Sequence, residues 1–554
     1  MLDAATQITL QDRLHNARSS FENEWSEAAQ YFLPRQADFS GQNSTQGTPR
    51  TREIFDEYPA RALDDGKSIA VGMVMPRGAL FQGIAPPDAD ELLKLQHVRA
   101  WYERKTRRLF ELRHDPNSGF VQQTDESWAS LLCFGNQAMS VSHRRDPRTQ
   151  RPVGLRYRSE HIGACYIEQN WQGLQGRSHR KWRWTAEQAL AHWGRAKLQQ
   201  APMVLEAATD PKKMHNEFEF LLVILENPRP QGGRMDMAGK PYIGGYISLA
   251  DKEWIEQGGW GSRELTYSRF MKSPTETYGR GPGVDMLPAA KALQQIMVDL
   301  MTGAEMALMP PLGGPDDALD MLINYGAGEF VPGAFDMMGR QVIGKLFDVG
   351  DFQGPLAIQG QLREQIDRAF FRHLMFLNQD MKSHVTDGQI MERVQEKGVL
   401  LQPLATQETE WLSPMLEREI DLMGQMGEFE DMPAEVMEAG RPRQITYDNP
   451  LNSALIAEEA AGYFRMSASV GNMAQNDPAY MQEFNRMFPA RKVLPNLARV
   501  MRVPASWMAT EDELAEGDAQ DAQQQSAQDA LATGSALAGI AKDLGSSGLT
   551  QNAA

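Results

Sequence analysis

Two short segments contain residue types that bind phosphate groups in other proteins. Asp65-Gly66-Lys67-Ser68 matches the end of a phosphate-binding loop, where backbone amides and a lysine hold a nucleotide. That loop also needs an earlier glycine, and Arg61 occupies the position here. Gly279-Arg280-Gly281-Pro282-Gly283 is rich in glycine, but a proline stands where a dinucleotide-binding fingerprint begins its helix. We therefore expect no nucleotide site. Lys67 is interpreted as an ordinary surface residue, and the glycine-rich segment as a hinge or sharp turn.

The sequence also lacks the usual patterns of hydrolytic and metal-dependent chemistry. No Gly-x-Ser-x-Gly, His-Glu-x-x-His or paired Cys-x-x-Cys motif occurs. Asp64-Asp65 and Asp316-Asp317 are compatible with a divalent ion, but acidic doublets more often begin helices or lie in exposed turns. We accordingly predict no catalytic residue, no metal site and no cofactor, and we do not expect an enzyme.

Charge is segregated along the chain. The 554 residues carry a formal net charge of −17, and such an acidic chain is not expected to wrap nucleic acid tightly. Residues 94–158 contain 13 basic and 6 acidic side chains, whereas residues 403–462 contain 3 basic and 13 acidic ones. These bands are either solvated faces or surfaces on which neighbouring subunits of a ring meet. The only cysteines, Cys133 and Cys165, favour a reducing compartment over a disulfide scaffold.

Two long amphipathic segments flank an insert that is rich in glycine and proline. Apolar residues recur every three to four positions from about Asp285 to Leu308 and from about Ile358 to Leu377, which predicts two helices. A helix, a compact insert and a returning helix can project from a body like an arm. Nine methionines lie between residues 297 and 381. They indicate either gap filling in a core or adaptable packing between subunits.

The remaining pattern predicts helices near both ends and strands in the middle. Residues 153–184 and Phe218 to Leu225 have strand patterns, and the chain from Met381 onward is mostly helical. Nothing approaches the ~20 apolar residues of a membrane span. Three further helices are predicted over about Thr9 to Leu33, Pro59 to Met75 and Asp90 to Leu112, the last with Leu95, Val98, Trp101, Tyr102, Leu109 and Phe110 on one side.

Several motifs occur in a fixed order between residues 13 and 513, and together they resemble a known family. The most specific is Tyr278-Gly279-Arg280-Gly281-Pro282, and another is Arg52-Glu53-Ile54-Phe55-Asp56. Further matches are Arg18, Trp25, Tyr31 and Pro34; Ala62, Gly72-Met73 and Pro76; Leu287-Pro288 and Lys291; Glu392-Arg393, Glu396-Lys397, Glu410, Pro414 and Arg418; and Val503-Pro504, Trp507, Glu511 and Glu513. This series resembles the head-to-tail connecting (portal) protein family of short-tailed bacteriophages. One departure is Ser383 to Ile390, where the family usually shows Met-Thr-Ala-Thr-Glu-Val.

The resemblance implies an α+β fold that is mainly helical. This is the portal fold, with a wing, a stem helix pair, a small α/β clip and a helical crown. The implied boundaries are 1–284 for the N-terminal part of the wing, 285–308 for the first stem helix, 309–357 for the clip, 358–381 for the second stem helix, 382–445 for a tunnel loop and the C-terminal part of the wing, 446–510 for the crown, and 511–554 for a flexible acidic tail.

The resemblance also implies a function. About twelve subunits would form a ring at one capsid vertex, through which double-stranded DNA passes without sequence specificity during packaging and ejection. The terminase large subunit, a tail adaptor and capsid or scaffold proteins would bind this homo-oligomer, with no membrane involved. The protein would lie in the virion, and in the host cytoplasm during assembly. The residues of the tunnel loop expected to face DNA are Lys382, Ser383, His384, Thr386, Asp387 and Gln389.

Two alternatives belong to other classes. Another structural virion protein, such as a tail-tube or capsid subunit, would form tubes or shells instead of a ring with a central hole. A packaging ATPase or nuclease would need a complete phosphate loop and a carboxylate metal site, and neither is visible in the sequence. ATP hydrolysis by the purified chain would favour that alternative.

Overall fold

The structure is a computed structural model in which most of the chain is described. The described residues are 3–39, 54–85, 95–146, 148–234, 236–309, 352–373, 402–438, 444–447 and 450–474, with shorter pieces between 312 and 350 and between 477 and 497. The chain divides into two compact units, one of residues 1–92 and 101–454 and one of residues 93–100 and 455–554.

Helices make up most of the regular structure, accompanied by several antiparallel sheets, so the predicted α+β, mainly helical class is confirmed. The described helices are α1 (Ala4–Phe32), α2 (Tyr58–Val74), α3 (Gln96–Arg113), α4 (Phe120–Phe134), α5 (Ala186–Leu198), α6 (Pro202–Thr209), α7 (Pro282–Asp285), α8 (Leu287–Leu308), α9 (Gln353–Ala369), α10 (Gln402–Gln407), α11 (Ser413–Gln425), α12 (Ala434–Glu438), α13 (Pro450–Ala474) and α14 (Ala479–Met487). A π-helical turn, Glu408–Leu412, joins α10 to α11.

The described strands form four sheets. They are β1 (Gln82–Ala85), β2 (Asn136–Arg145), β3 (Pro152–Glu160), β4 (Cys165–Gln169), β5 (Gln175–Thr185), β6 (Glu217–Glu226), β7 (Tyr242–Ser248), β8 (Glu253–Trp260), β9 (Leu265–Arg269), β10 (Leu312–Gly313), β11 (Gly344–Lys345) and β12 (Gln444–Tyr447). Their order is β4-β5-β6-β7-β8 in the largest sheet, β3-β2-β9 in the next, and β1-β12 and β10-β11 in two pairs. The strand predicted at Phe218 to Leu225 is confirmed as β6, at the centre of the largest sheet.

Strand β6 is apolar and buried from Phe220 to Leu225 because both faces of its sheet are covered there. On one face Phe220 packs with Trp193 of α5 and Val204 of α6. On the other face Leu221 and Val223 pack with Ala4 of α1. Continuous apolar character in a strand is typical of burial on both sides.

The first helix begins five residues earlier than its apolar pattern indicated. The carboxylate of Asp3 accepts a hydrogen bond from the Thr6 amide at 2.9 Å and caps the helix before the first apolar residue of the stripe. The helix α2 matches its prediction within one residue at each end. The helix α3 is described only from Gln96, and Leu95, predicted on its apolar side, is instead 40% exposed.

The two helices of the arm are present, with different ends. The first, α8, begins at Leu287 because the separate turn α7 precedes it. The second, α9, begins at Gln353, five residues before the predicted start, with Pro355 tolerated in its first turn. It ends at Ala369 instead of continuing to 377 or 381, because Phe370 is fully buried and Phe371 adopts a left-handed φ of 63°. Residues 374–401 lie outside the described part of the chain.

Only fragments of the insert are described. Its strand β11 pairs with β10 of the same chain in antiparallel register. Apolar residues at Phe330-Val331 and from Val342 to Val349 predict two short strands, too few for an independent sheet, which we expect to pair with strands of neighbouring subunits. Within 342–349, the described strand β11 is instead paired inside one chain. Phe330-Val331 and the acidic tail lie outside the described residues. None of the helices that the structure describes has the length and apolar character to cross a bilayer.

Candidate functional site

The base of the arm is held by one buried carboxylate, Asp56. Its side chain accepts hydrogen bonds from Arg363 at 2.9 Å and Gln359 at 3.4 Å, both in α9. From α8, the Gln294 amide nitrogen donates to the Asp56 carbonyl at 2.7 Å, and its oxygen accepts from the amides of Phe55 and Asp56 at 2.8 and 3.0 Å. Asp56 is 5% exposed, so these bonds form largely away from water. This contact, the Asp56 clasp, ties both helices of the arm to one segment of the body.

A second cluster holds the end of α9 against α2. The Tyr58 hydroxyl donates to Asp367 at 2.6 Å, and Arg372 contacts Asp367 at 2.6 Å and Asp65 at 2.8 Å. Partial burial, and then the hydrogen bond to Asp367, raise the pKa of Tyr58 to about 12. Gly66 of α2 permits the close approach, since a Cβ there would lie 2.8 Å from the Phe370 carbonyl oxygen. The base of the arm is therefore rigidly placed on α2.

The half of the arm that lies farther from the Asp56 clasp, which we call the far half, has exposed apolar side chains. Exposed residues in this half include Met301 (49%), Leu308 (84%) and Ile358 (52%), whereas Leu293 and Ile366 near the base are fully buried. The amphipathic pattern of α8 therefore continues beyond the part that the described residues of its own chain cover. Contiguous exposed apolar surface of this kind usually contacts another molecule.

The glycine-rich segment sets the start of the arm. The Asn136 side chain bonds both the amide and the carbonyl of Gly279 at 2.8 Å. A Cβ on Gly281 would lie 2.5 Å from the amide nitrogen of Gly135, and one on Gly135 would lie 2.2 Å from the carbonyl carbon of Arg280. Gly135 also has a φ of 74°, which favours glycine. The sharp turn predicted for this segment is present, and its glycines allow backbone to pack directly on the end of α4.

Tyr278, which immediately precedes this turn, extends the same contact into α1. The Tyr278 and Trp25 rings meet edge to face with centroids 5.4 Å apart. Arg18 is fully buried, and its guanidinium donates to the carbonyls of Ile162 at 2.9 Å and Gly163 at 2.7 Å. The sequence motifs included Arg18, but periodicity alone would have placed an arginine in solvent. These backbone carbonyls accept hydrogen bonds from the buried guanidinium, which explains why Arg18 can lie away from water.

The two charged bands meet inside one chain. Glu419 accepts from Arg113 at 2.9 Å (Nε) and 2.5 Å (Nη2), and both side chains are fully buried. Arg108 pairs with Glu428 at 2.9 Å, and Lys105 with Asp431 at 2.6 Å. These pairs join the basic helix α3 to the acidic segment around α11. For these residues, the interpretation that the bands meet between subunits is wrong, because their partners are internal.

The possible phosphate-binding lysine has a structural role. Lys67 lies inside α2, where its ammonium contacts Asp125 at 2.9 Å and Asp64 at 3.2 Å. Its side chain is only 17% exposed, so it is less of a surface residue than we expected. No group of three or more acidic, histidine or cysteine residues suited to a metal ion occurs in the described ranges. Cys133 and Cys165 are both buried free thiols.

The residues expected to face DNA lie outside the described part of the chain. These are Lys382, Ser383, His384, Thr386, Asp387 and Gln389. The structure therefore places neither their backbone nor their side chains. What it does describe is the base of the arm from which that segment continues.

Comparison with known proteins gives a consistent result. Residues 4–508 match the family model described as bacteriophage head to tail connecting protein. A portal protein of Salmonella phage epsilon15 is 23% identical over 473 residues, covering 84% of this chain and 81% of that protein. A probable portal protein of Bordetella phage BPP-1 is 22% identical over 484 residues, covering 85% and 83%.

Solved structures of phage-like particles show only a distant likeness. A chain from the neck of an empty gene transfer agent particle, computed with C6 symmetry, gives a TM-score of 0.34 at 10% identity, covering 78% of this chain and 92% of that one. A chain from the native neck, computed with C12 symmetry, gives 0.33 at 12% identity, covering 73% and 94%.

Proposed function

The chain belongs to the bacteriophage head to tail connecting protein family, and we propose that about twelve copies close into a ring at one capsid vertex. In this proposal the protein is a structural component of the phage virion and not an enzyme. The ring is the conduit for DNA during packaging and ejection. It is also the platform on which the terminase large subunit, a tail adaptor and capsid or scaffold proteins dock.

The proposal of a ring rests on the exposed apolar side chains in the far half of the arm. In one chain Met306 (41%), Leu356 (51%) and Ile358 (52%) contact water. Covering such side chains stabilises a contact by about 25 cal/mol per Å² of apolar surface. Adjacent arms packed side by side bury this surface. A head-to-tail contact of this kind either closes into a ring or continues as a filament.

The first prediction concerns the assembled state. The purified protein should form closed rings near twelve subunits, visible as particles with a central hole. Native mass spectrometry gives the copy number, and negative-stain images give the shape. A stable monomer at micromolar concentration would contradict the proposal. Tubes or closed shells would favour a tail-tube or capsid subunit.

The energy for packaging comes, in this proposal, from a separate ATP-driven terminase. The one candidate phosphate lysine, Lys67, is held between Asp64 and Asp125 inside α2. A net charge of −17 also suits a conduit, because clustered Lys and Arg contacts to phosphate would slow DNA at each step.

The second prediction concerns the insert as the docking element. Replacing residues 309–351 with a short Gly/Ser linker preserves α9, which begins at Gln353. The body should remain folded, because the Asp56 clasp lies outside the replaced segment. Binding of terminase and tail adaptor, measured by pull-down with the assembled protein, should be lost. Undiminished binding would show that these partners dock elsewhere.

The third prediction concerns the tunnel loop, residues 382–390. We propose that this loop contacts passing DNA weakly through its hydroxyl and amide groups and limits backward slipping. Removing three residues from it should permit ring assembly and packaging initiation but reduce the genome retained per particle. A control that shortens the exposed turn at 229–233 should retain full genomes. Normal retention by the loop variant would show that the loop has no such role.

A further inference from the structure

The hairpin of β2 and β3 is a local concentration of arginine on an acidic protein. Its guanidinium groups belong to Arg144, Arg145, Arg148, Arg151, Arg156 and Arg158, and the stretch 144–158 contains no lysine. We name these six residues the arginine hairpin. From this arrangement we propose that the arginine hairpin is a contact site for the phosphate backbone of duplex DNA, separate from the tunnel loop. The choice of DNA as ligand rests on the proposed function.

Four of these arginines have no carboxylate partner among the described residues. Arg144 pairs with Asp115 at 2.9 Å, and Arg158 lies 3.5 Å from Glu160. Arg145 and Arg156 donate instead to backbone carbonyls, those of Gln150 at 3.4 Å and Asn117 at 3.1 Å. For Arg148 and Arg151, both exposed, the structure shows no side-chain acceptor within its described ranges.

The acidic residue inside the hairpin, Asp146, forms no ion pair with these arginines among the described residues. The Asp146 carboxylate accepts from the Arg148 backbone amide at 2.9 Å and the Thr149 hydroxyl at 3.0 Å. The hydrogen bond from that amide is the main cause that lowers the pKa of Asp146. Its oxygens therefore shape the turn, and the hydrogen bonds that they accept come from the backbone and a hydroxyl, not from a guanidinium group. By contrast, the arginines of strand β5, in the five-stranded sheet, are paired, as Arg183 is with Glu219 at 3.0 Å.

The strand register places cations and hydroxyls on one face of the hairpin. Ser140 lies opposite Arg158, Ser142 opposite Arg156, and Gly154 opposite Arg144. Directly opposed residues share a face, and Arg156 and Arg158 are about 6.8 Å apart at ~3.4 Å per residue. The other face is apolar and buried in the body, as the burial pattern of β3 shows.

The chemistry of this face fits phosphate better than a protein partner. It has no apolar or aromatic side chain at the paired positions from 140 to 144 and 154 to 158. The energetic centres of protein interfaces are usually such side chains. Interfaces with DNA are polar and positively charged, and arginine and serine supply many of their phosphate contacts. The planar guanidinium also matches phosphate geometry better than an ammonium does.

The experiment measures binding of closed-circular duplex DNA to the assembled protein at several salt concentrations. Circular DNA cannot thread a closed ring, so contacts inside a tunnel do not contribute. If four arginines each neutralise one phosphate, log K should fall with log[salt] with a slope of about −3.6. The variant Arg148→Ala, Arg151→Ala, Arg156→Ala should reduce the slope to about −0.9. The matching lysine variant should retain most of the original slope.

A control of equal charge change separates this site from general electrostatics. Arg61→Ala, Arg234→Ala, Arg368→Ala removes three exposed arginines that are paired with neighbouring carboxylates. The control should keep the slope of the unaltered protein. Equal slopes for the alanine variant and the control would overturn the inference. So would loss of oligomers in the hairpin variant alone, because the arginines would then serve a subunit contact. If the unaltered protein forms no ring yet shows the hairpin-dependent slope, the proposed function fails and this inference stands.

Discussion

Replacing Glu419 with alanine should lower the free energy of unfolding by about 3–5 kcal/mol, since it leaves a buried arginine without its counter-charge. Both carboxylate oxygens of Glu419 accept from Arg113, and the Tyr157 hydroxyl donates to the same carboxylate. Arg113 also donates to Gln82 at 2.7 Å, so one deletion disturbs four side chains. Urea unfolding monitored by tryptophan fluorescence would measure the loss.

The same helix provides a matched control for this change. Glu417 is exposed, two residues before Glu419. Its replacement by alanine should alter the free energy of unfolding by less than about 0.5 kcal/mol. The double variant Arg113→Met, Glu419→Leu should regain much of the stability, because it leaves no unpaired charge behind. A loss below about 1 kcal/mol for Glu419→Ala would show that water or other groups replace the pair.

Placing carboxylates on the exposed apolar half of the arm should abolish the ring without unfolding the subunit. Met301 and Ile358 lie on α8 and α9 and are 49% and 52% exposed, so Met301→Glu with Ile358→Glu costs the isolated chain little. In a ring both carboxylates would be buried between arms, at a cost of several kcal/mol per subunit contact. Native mass spectrometry should show monomers, and circular dichroism should show that these monomers keep the helix content of the unaltered protein.

The control for this variant adds the same charge elsewhere. Gln361→Glu with Gln200→Glu introduces two carboxylates at exposed polar positions, one of them on α9. Rings should persist in this variant. Rings of normal size in the Met301 and Ile358 variant would instead mean that the far half of the arm does not mediate assembly.

Local physical rules were enough to predict some of the helices and strands from the sequence. Helix start and stop signals predicted α2 within one residue at each end, and the apolar run at 218–225, interrupted only by Glu219, predicted β6. Patterns of this kind depend only on which side of an element faces a core. The order of short motifs added the family, which the match over residues 4–508 then confirmed.

Contacts between distant parts of the chain determine helix ends that the periodicity of the sequence does not predict. The helix α9 ends at Ala369 because Phe370 packs on Phe32, with ring centroids 5.4 Å apart, and against Gly66 of α2. No feature near residue 370 shows that stop, since its apolar spacing continues. The sequence only partly predicts the early start of α1. Asp3 is a residue type that often caps a helix, but its presence does not require a helix to begin there.

Charge was the feature that the sequence determined least. Counting side chains revealed a basic band and an acidic band, but only the fold showed that Arg113 and Glu419 neutralise each other inside one chain. It also showed that Arg148 and Arg151 have no such partner among the described residues. Composition records how many charges exist, whereas their effect depends on separations of a few ångströms between residues hundreds of positions apart. The sequence by itself thus determined the elements, the absence of catalytic motifs and the family. The tertiary structure decided which charges are neutralised and which apolar surface of the arm remains uncovered.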